Sequence, residues 1–277
     1  MTAGRVDVPA GPGDTWTAGH APWRLDALTR DEVVRRAPAA TVVVPLGSTE
    51  QHAARLPMGT DSLLAEAVVE RAVRRAAESA DVLRTPVLPF GAAHHHLDLG
   101  AAVSLSIPVY LQVLAEVAQS LVRTGFPRVV FVNGHGGNEN VLRAAADRLV
   151  HELALPATVA AVSYWAVAPE ALAAASNGMA AVPGHAGDFE ISLMLAVRPG
   201  LVRDPAPAAG AGEPARREPL ADPEPPGWHV RRPGLWLASG GRTDDGSGAG
   251  ADVGAAVLDL LARRLADGLL AIHGGAR

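Results

Sequence analysis

The sequence contains no cysteine and no lysine, and aromatic residues make up only 4% of its 277 residues. The absence of cysteine excludes disulfides, cysteine-ligated zinc sites and thiol nucleophiles. No run approaches the roughly 18 apolar residues of a membrane span, and the N-terminus lacks the apolar segment of a signal peptide. The net charge of −5 does not indicate nucleic-acid binding. We therefore expect a cytoplasmic protein that acts on neither nucleic acids nor membranes.

Short apolar runs typical of strands alternate with stretches of helical periodicity. The predicted strands are 41–46, 82–88, 103–107, 129–132 and 158–163, and the predicted helices are 23–37, 63–80, 109–124, 138–153, 188–196 and 254–272. Thr60 or Asp61 is expected to cap the second helix. This alternation predicts an α/β fold with a largely parallel sheet that is covered on both faces.

The chain shows no internal repeat and no clear domain boundary, so we expect one domain over residues 21–277. Residues 1–20 are rich in Gly, Pro and Thr and are predicted to be disordered. Residues 203–234 are rich in proline and too long for a simple connection inside a compact domain. We expect this arm to pack on a neighbouring subunit, which predicts a homo-oligomer.

The stretch that follows the strand at 129–132 is Asn133-Gly-His-Gly-Gly137, and a predicted helix comes next. In an open α/β sheet such a turn lies at the carboxyl end of a strand, where ligands bind. A phosphate-binding loop is disfavoured because no Lys-Ser/Thr pair follows the glycines. Taken alone, His135 fits either an open ligand position or an ordinary turn residue.

Other histidines and carboxylates fall at strand ends or helix starts, where a parallel sheet gathers them at one edge. They are Glu50, His52, Asp61, His135, His185 and Glu190. Each of them alone also fits a turn, a helix cap or an exposed surface position. Together they supply the imidazole and carboxylate ligands that Zn, Mn or Fe prefer. Asp61, with a short side chain at a helix start, suits the bridge between two metals.

Three motifs carry a resemblance to a known family. They are Pro45-Leu-Gly-Ser-Thr-Glu-Gln-His52 with Thr60-Asp61, then Val132-Asn-Gly-His-Gly-Gly-Asn138, and then Gly184-His-Ala-Gly-Asp-Phe-Glu190. In this order and spacing the chain resembles the creatininase (creatinine amidohydrolase) family over about residues 40–200. The resemblance implies a three-layer α/β/α fold, two divalent metals (Zn, Mn or Fe), and assembly as an oligomer such as a hexamer.

The resemblance also implies roles for individual residues. Glu50, His52, Asp61 and His135 match metal ligands of the family, with Asp61 as the bridge. Creatininase has a glutamate where this chain has Gly137, and Glu190 is then the expected replacement ligand. His185 matches a histidine that acts in proton transfer, and a neutral imidazole there would take a proton from water and pass it to the leaving nitrogen.

The predicted substrate-binding residues are His95, His96, Gly136 and Trp165. His95 and His96 match a histidine pair of the family, and they are also interpretable as surface residues. The loop that follows them, Leu99-Gly-Ala-Ala102, departs from the Phe-Pro-Gly-Thr of many members, which disfavours creatinine itself as the substrate. Trp165 fits either a pocket wall or the core.

We expect hydrolysis of a non-peptide C–N bond of a small amide or lactam, through a hydroxide held by two metals. Two alternatives lie within the same family: a peptidase of the mycofactocin precursor and a formamide deformylase. The His94-His-His96 run disfavours the peptidase, which usually has Gly-Glu-His there. A non-enzymatic metal-binding paralogue is a further alternative. A serine hydrolase is disfavoured because no Gly-x-Ser-x-Gly motif is present.

Overall fold

The structure, a computed structural model, describes residues 21–170, 183–204, 230–231, 233–243 and 246–275. The predicted disordered segment at 1–20 and most of the proline-rich arm at 203–234 lie outside these residues. Among the helices within them, none has the length and apolar character needed to cross a membrane.

A four-stranded parallel sheet forms the centre of the fold. In chain order the strands are β1 (Thr41–Leu46), β2 (Thr49–Glu50), β3 (Val82–Arg84), β4 (Ala102–Val103), β5 (Arg128–Asn133) and β6 (Thr158–Ser163). The sheet has the order β3-β1-β5-β6, and each neighbouring pair runs parallel. β2 and β4 form a separate antiparallel ribbon.

Helices cover both faces of the sheet. They are α1 (Arg30–Arg36), α2 (Thr60–Ala76), α3 (Ile107–Thr124), α4 (Glu139–Asp147), α5 (Asp188–Val197), α6 (Leu235–Ser239) and α7 (Ala251–Gly274). Successive strand residues point to opposite faces, so Val43 and Val130 pack with α2, α5 and α7, whereas Val42 and Phe131 pack with α3 and α4. The predicted three-layer α/β/α fold is confirmed.

Some element boundaries differ from those predicted. β3 stops at Arg84 because Pro86 has no N–H for the ladder, and pairing with β1 resumes as one bridge at Leu88. The helix expected over 23–37 is reduced to a 3-10 turn and α1, whose start at Thr29 carries a capping box. The helix expected at 138–153 ends in a π turn over 148–152.

The switch point of the sheet lies between β1 and β5, because the chain first adds β3 on one side of β1 and then crosses over to add β5 on the other side. The connection from β1 to β3 runs through α2 on one face, and the connection from β3 to β5 runs through α3 on the other. The register pairs Leu46 with Asn133, so β1 and β5 end side by side. Ligand sites of open α/β sheets lie at such a switch point, outside the carboxyl ends of the strands. This geometry brings the segment after β1 next to the segment after β5.

Candidate metal centre

The six residues predicted as metal ligands or as the proton-transfer group meet at this switch point. Glu50, His52, Asp61, His135, His185 and Glu190 are all buried, and none is more than 7% exposed. They form two triads in which the ligand atoms lie within 4.8 Å of one another. The first triad is Glu50, Asp61 and His135, and the second is His52, His185 and Glu190.

Asp61 lies between the two triads. Its Oδ2 lies 3.2 Å from His135 Nδ1, and its Oδ1 lies 3.1 Å from His52 Nε2. The expected cap of α2 by Thr60 or Asp61 is not formed: Gly59 occupies the N-cap position and no side chain bonds there. The carboxylate turns into the cluster instead, with one oxygen toward each triad.

Backbone carbonyls fix the orientation of two histidine rings. His52 Nδ1 lies 3.0 Å from the carbonyl oxygen of Glu50, and His135 Nε2 lies 3.3 Å from that of Ala92. Since each of these nitrogens donates its proton to a carbonyl, the other nitrogen of each ring faces the carboxylates and becomes available to a metal once its own proton is released. Metal-binding histidines are commonly oriented by this kind of outer hydrogen bond.

Two asparagines tie the loops of the cluster together. The side chain of Asn133 accepts from the backbone N–H of His135 and donates to its carbonyl oxygen. Asn138 donates to Asn133 and to the carbonyl oxygen of Gly47, and it accepts from the N–H of Ala92. The loops that follow β1, β3 and β5 are therefore held in one fixed arrangement by buried amides.

The cluster holds three buried carboxylates, and their ion pairs among the described residues are all with histidines. Burial and the charges of Asp61 and Glu50 raise the pKa of Glu190 to about 7. Burial alone would lower the pKa of His52, but Asp61 and Glu190 outweigh it and raise the pKa to about 10. The carboxylates thus attract positive charge, and among the described residues the cations paired with them are imidazoles, which can give up their protons to a metal.

Several buried polar atoms of this cluster have no hydrogen-bond partner among the described residues: Glu50 Oε1, Asp61 Oδ2 and His96 Nε2. His96 Nε2 and His135 Nδ1 each lie 3.1 Å from Glu50 Oε1. Buried polar groups in native proteins are almost always satisfied. Convergent carboxylate and imidazole atoms that lack partners fit divalent cations, which these residue types bind.

The backbone of Gln51 orients the ring of His185. Its Nε2 lies 2.8 Å from the carbonyl oxygen of Gln51, and its Nδ1 lies 3.7 Å from Glu50 Oε1. Burial, together with the charges of His52 and His96, lowers the pKa of His185 to about 3. The ring is therefore neutral, it donates at Nε2, and its Nδ1 is free to accept a proton.

The four predicted substrate-binding residues lie in different surroundings. His95 is half-buried and its ring stacks with His135 at a centroid distance of 5.6 Å. Gly136 is exposed and has open space at its Cα. Trp165 packs in the apolar core against Tyr164. His96 is fully buried and belongs to a third ligand triad with Glu50 and His185.

Sequence reasoning therefore missed His96 as a possible ligand, and it missed Trp236 entirely. The indole of Trp236 lies 4.7 Å from the ring of His96, in the wall position considered for Trp165. The clue for His96 was its place in a run of three histidines after a strand. No pattern pointed to Trp236, because it is an isolated aromatic residue beyond the proline-rich arm.

Gly137, which replaces the glutamate of creatininase, has no room for a side chain. A Cβ there would lie 2.4 Å from the carbonyl oxygen of Ala92 and 2.4 Å from His135 Nε2. Glu190 instead reaches the cluster from α5, with its Oε2 at 3.8 Å from His52 Nε2.

Comparison with known proteins places this geometry in context. The family profile described as creatinine amidohydrolase matches residues 26–269. The chain is 30% identical to the creatinine amidohydrolase of Pseudomonas putida over 190 residues. This alignment covers 63% of this chain and 72% of that protein. A solved structure titled creatinine amidohydrolase (creatininase) aligns with a TM-score of 0.74 and 24% identity, over 90% of this chain and 97% of the other.

Other relatives carry a different name. The mycofactocin precursor peptide peptidase of Mycolicibacterium smegmatis is 38% identical over 113 residues, which is 40% of this chain and 45% of that protein. The chain thus spans about half the length of this curated relative.

Proposed function

This chain belongs to the creatininase family, and we propose that it is a metal-dependent amidohydrolase that cleaves the C–N bond of a small amide or lactam. The observation that carries the proposal is the pair of buried triads joined by Asp61, together with the unpartnered atoms that face each other inside it. The names of the relatives support hydrolysis of C–N bonds.

Glu50, Asp61 and His135 would hold one divalent ion. His52 and Glu190 of the second triad would hold the other together with Asp61, which leaves His185 for proton transfer. Such ions supply a nucleophilic water at neutral pH and polarise the carbonyl group under attack. The protein fixes the ligand atoms in advance, because carbonyl oxygens orient His52 and His135 and Ser48 donates to Glu50 Oε2 at 3.0 Å.

His185 would move the proton that amide cleavage requires. Its unprotonated Nδ1 faces Glu50 across 3.7 Å and can accept the proton of the attacking water. The same atom would then donate to the leaving nitrogen, because an amine leaves poorly without a proton. Its Nε2–H donates to the carbonyl oxygen of Gln51 throughout, which holds the ring in one orientation.

The proposal is tested by assaying the protein on lactams, formamides and short peptides, after chelation and after reloading with Zn or Mn. We expect turnover of a lactam or formamide that requires metal and is lost in Glu190→Gln. Asp188→Asn is the matched control, since Asp188 lies on the same helix and accepts from the N–H of Gly248 instead. Equal turnover in chelated and reloaded protein would refute metal dependence. Metal binding without turnover of any substrate would instead favour the paralogue that has lost catalysis.

A second candidate is trimming of a precursor peptide. It is supported by the mycofactocin precursor peptide peptidases, which reach 38% identity, against 30% for creatinine amidohydrolase. The same chemistry applies to a peptide bond near a chain end. Peptides in the assay decide between the two candidates: faster cleavage of a peptide than of any lactam or formamide would replace the first proposal.

We also propose that the protein is a homo-oligomer, such as a hexamer, partly through the arm at 203–234. Light scattering at micromolar concentration tests this proposal, and a monomeric mass would contradict it. If the arm contributes to assembly, deletion of 207–227 should lower the number of subunits per particle.

A further inference from the structure

Trp236 lies against the histidine cluster from a part of the chain that carries none of the proposed ligands. It is on α6, and its ring centroid lies 5.2 Å from His95, 4.7 Å from His96 and 5.3 Å from His185. A single indole therefore contacts the proposed proton carrier and both histidines of the loop after β3.

Exposure separates the rings of this region into two groups. His52, His96, His135 and His185 are buried, whereas His95 and Trp236 are only half-buried. Their rings are tilted by 49° to each other. Of the rings described in this cluster, these two are the ones that a molecule entering from solvent meets first.

Hydrogen bonds hold Trp236 at this position. Ser239 Oγ donates to the carbonyl oxygen of Trp236 at 2.8 Å, and the side chain of Gln51 donates to the carbonyl oxygen of Gly241 at 3.1 Å. The N–H of Thr243 donates to the carbonyl oxygen of His185 at 3.0 Å. The segment that carries the indole is thereby tied to His185, the proposed proton carrier, and to Gln51, which orients it.

We propose that Trp236, together with His95, forms an aromatic wall that selects substrates in which a flat, uncharged ring adjoins the scissile amide. This inference rests on the function proposed above and specifies the substrate class of the same site. Aromatic rings prefer offset-stacked or edge-to-face contacts at centroid distances of about 4.5–7 Å. The two half-buried rings touch each other at a centroid distance of 5.2 Å and a tilt of 49°, so a flat ring laid across them can stack on one and meet the other at an angle.

The test compares two small hydroxamates, which chelate metals and differ in their acyl group. Acetohydroxamate carries a methyl group and benzohydroxamate carries a flat ring. Their dissociation constants are measured by calorimetry on the Zn-loaded and the chelated protein. The variants are Trp236→Phe, Trp236→Leu and Trp236→Ala, and Leu237→Ala is the matched control because Leu237 is 56% exposed on the same helix.

We expect benzohydroxamate to bind the Zn-loaded protein more tightly than acetohydroxamate. This preference should fall about two- to tenfold in Trp236→Leu and Trp236→Ala, which is the range for one aromatic pair. It should survive in Trp236→Phe and Leu237→Ala. If Trp236→Ala does not fold, Trp236→Leu still removes the ring while it retains apolar bulk.

The outcomes separate this inference from the proposed function. Metal-dependent binding of both hydroxamates with the same preference in Trp236→Leu and the parent protein would overturn the aromatic wall and leave the metal centre standing. Failure of both hydroxamates to bind in a metal-dependent way would overturn the metal centre and the wall together.

Discussion

Replacement of Asp61 by Asn is the most direct test of the shared centre. The change keeps the size of the side chain but removes one negative charge and replaces one oxygen by an NH₂ group. In the structure Asp61 Oδ1 lies 3.1 Å from His52 Nε2 and Asp61 Oδ2 lies 3.2 Å from His135 Nδ1. Whichever way the introduced amide turns, one triad receives its neutral oxygen and the other receives its NH₂ group, which is a hydrogen-bond donor and does not bind a metal ion.

The expected loss of affinity is large. Mutation of groups that merely orient ligands costs about 10- to 100-fold in metal affinity, and Asp61 would contact both ions directly. The parent protein should bind about two divalent ions per chain, and Asp61→Asn should retain fewer than about one after dialysis. Elemental analysis measures the content, and competition with a chelator measures the affinity of each site.

The control for this experiment is Asp188→Asn, which removes the same charge from a carboxylate that bonds to Gly248 outside the triads. Thermal unfolding with and without added Zn separates folding from binding, because a ligand of the native state raises its stability by mass action. Full metal content at unchanged affinity in Asp61→Asn would refute the bridging role of this carboxylate.

Three further predictions concern the same centre. Gly137→Ala should displace His135 and lower metal content, because its Cβ would lie 2.4 Å from His135 Nε2, whereas Gly136→Ala enters open space and should leave the content unchanged; equal content in the two variants would contradict the argument. His185→Ala should keep near-normal metal content while turnover falls about 10²- to 10⁴-fold; loss of one ion would make His185 a ligand instead. Metal binding at pH 7 should release about two protons per chain, because the pKa of His52 is about 10 and that of His135 is well above its usual value. Metal affinity should therefore fall as the pH is lowered, and calorimetry in buffers of different ionisation enthalpy that detects no proton release would refute this.

The sequence predicted the layered fold because its strands and helices alternate with clear periodicity. It also predicted which side chains gather at the switch point, since strand ends of a parallel sheet meet at one edge. It left Asp61 with two possible roles, a cap of α2 or a bridge between two metals. Asp61 turns into the cluster and caps nothing, because capping is a local preference and the attraction of His52 and His135 is a tertiary effect.

The wall of the site was beyond sequence reasoning for a different reason. Trp165 follows Tyr164 and Trp236 stands between two leucines, and neither pattern distinguishes a core position from a pocket position. The structure places Trp165 against Tyr164 in the core and Trp236 against the histidines. Contacts between segments so distant in sequence have no periodic signature.

The two triads also have a consequence for a chain that cannot form disulfides. Their residues come from the segment after β1, the first turn of α2, the turn after β5 and the start of α5. Ions held there would cross-link three distant parts of the polypeptide, near residues 50–61, 135 and 185–190, and such a link restricts the unfolded chain as a disulfide does. A chelator should then act as a reducing agent acts on a secreted protein, by loosening the scaffold itself.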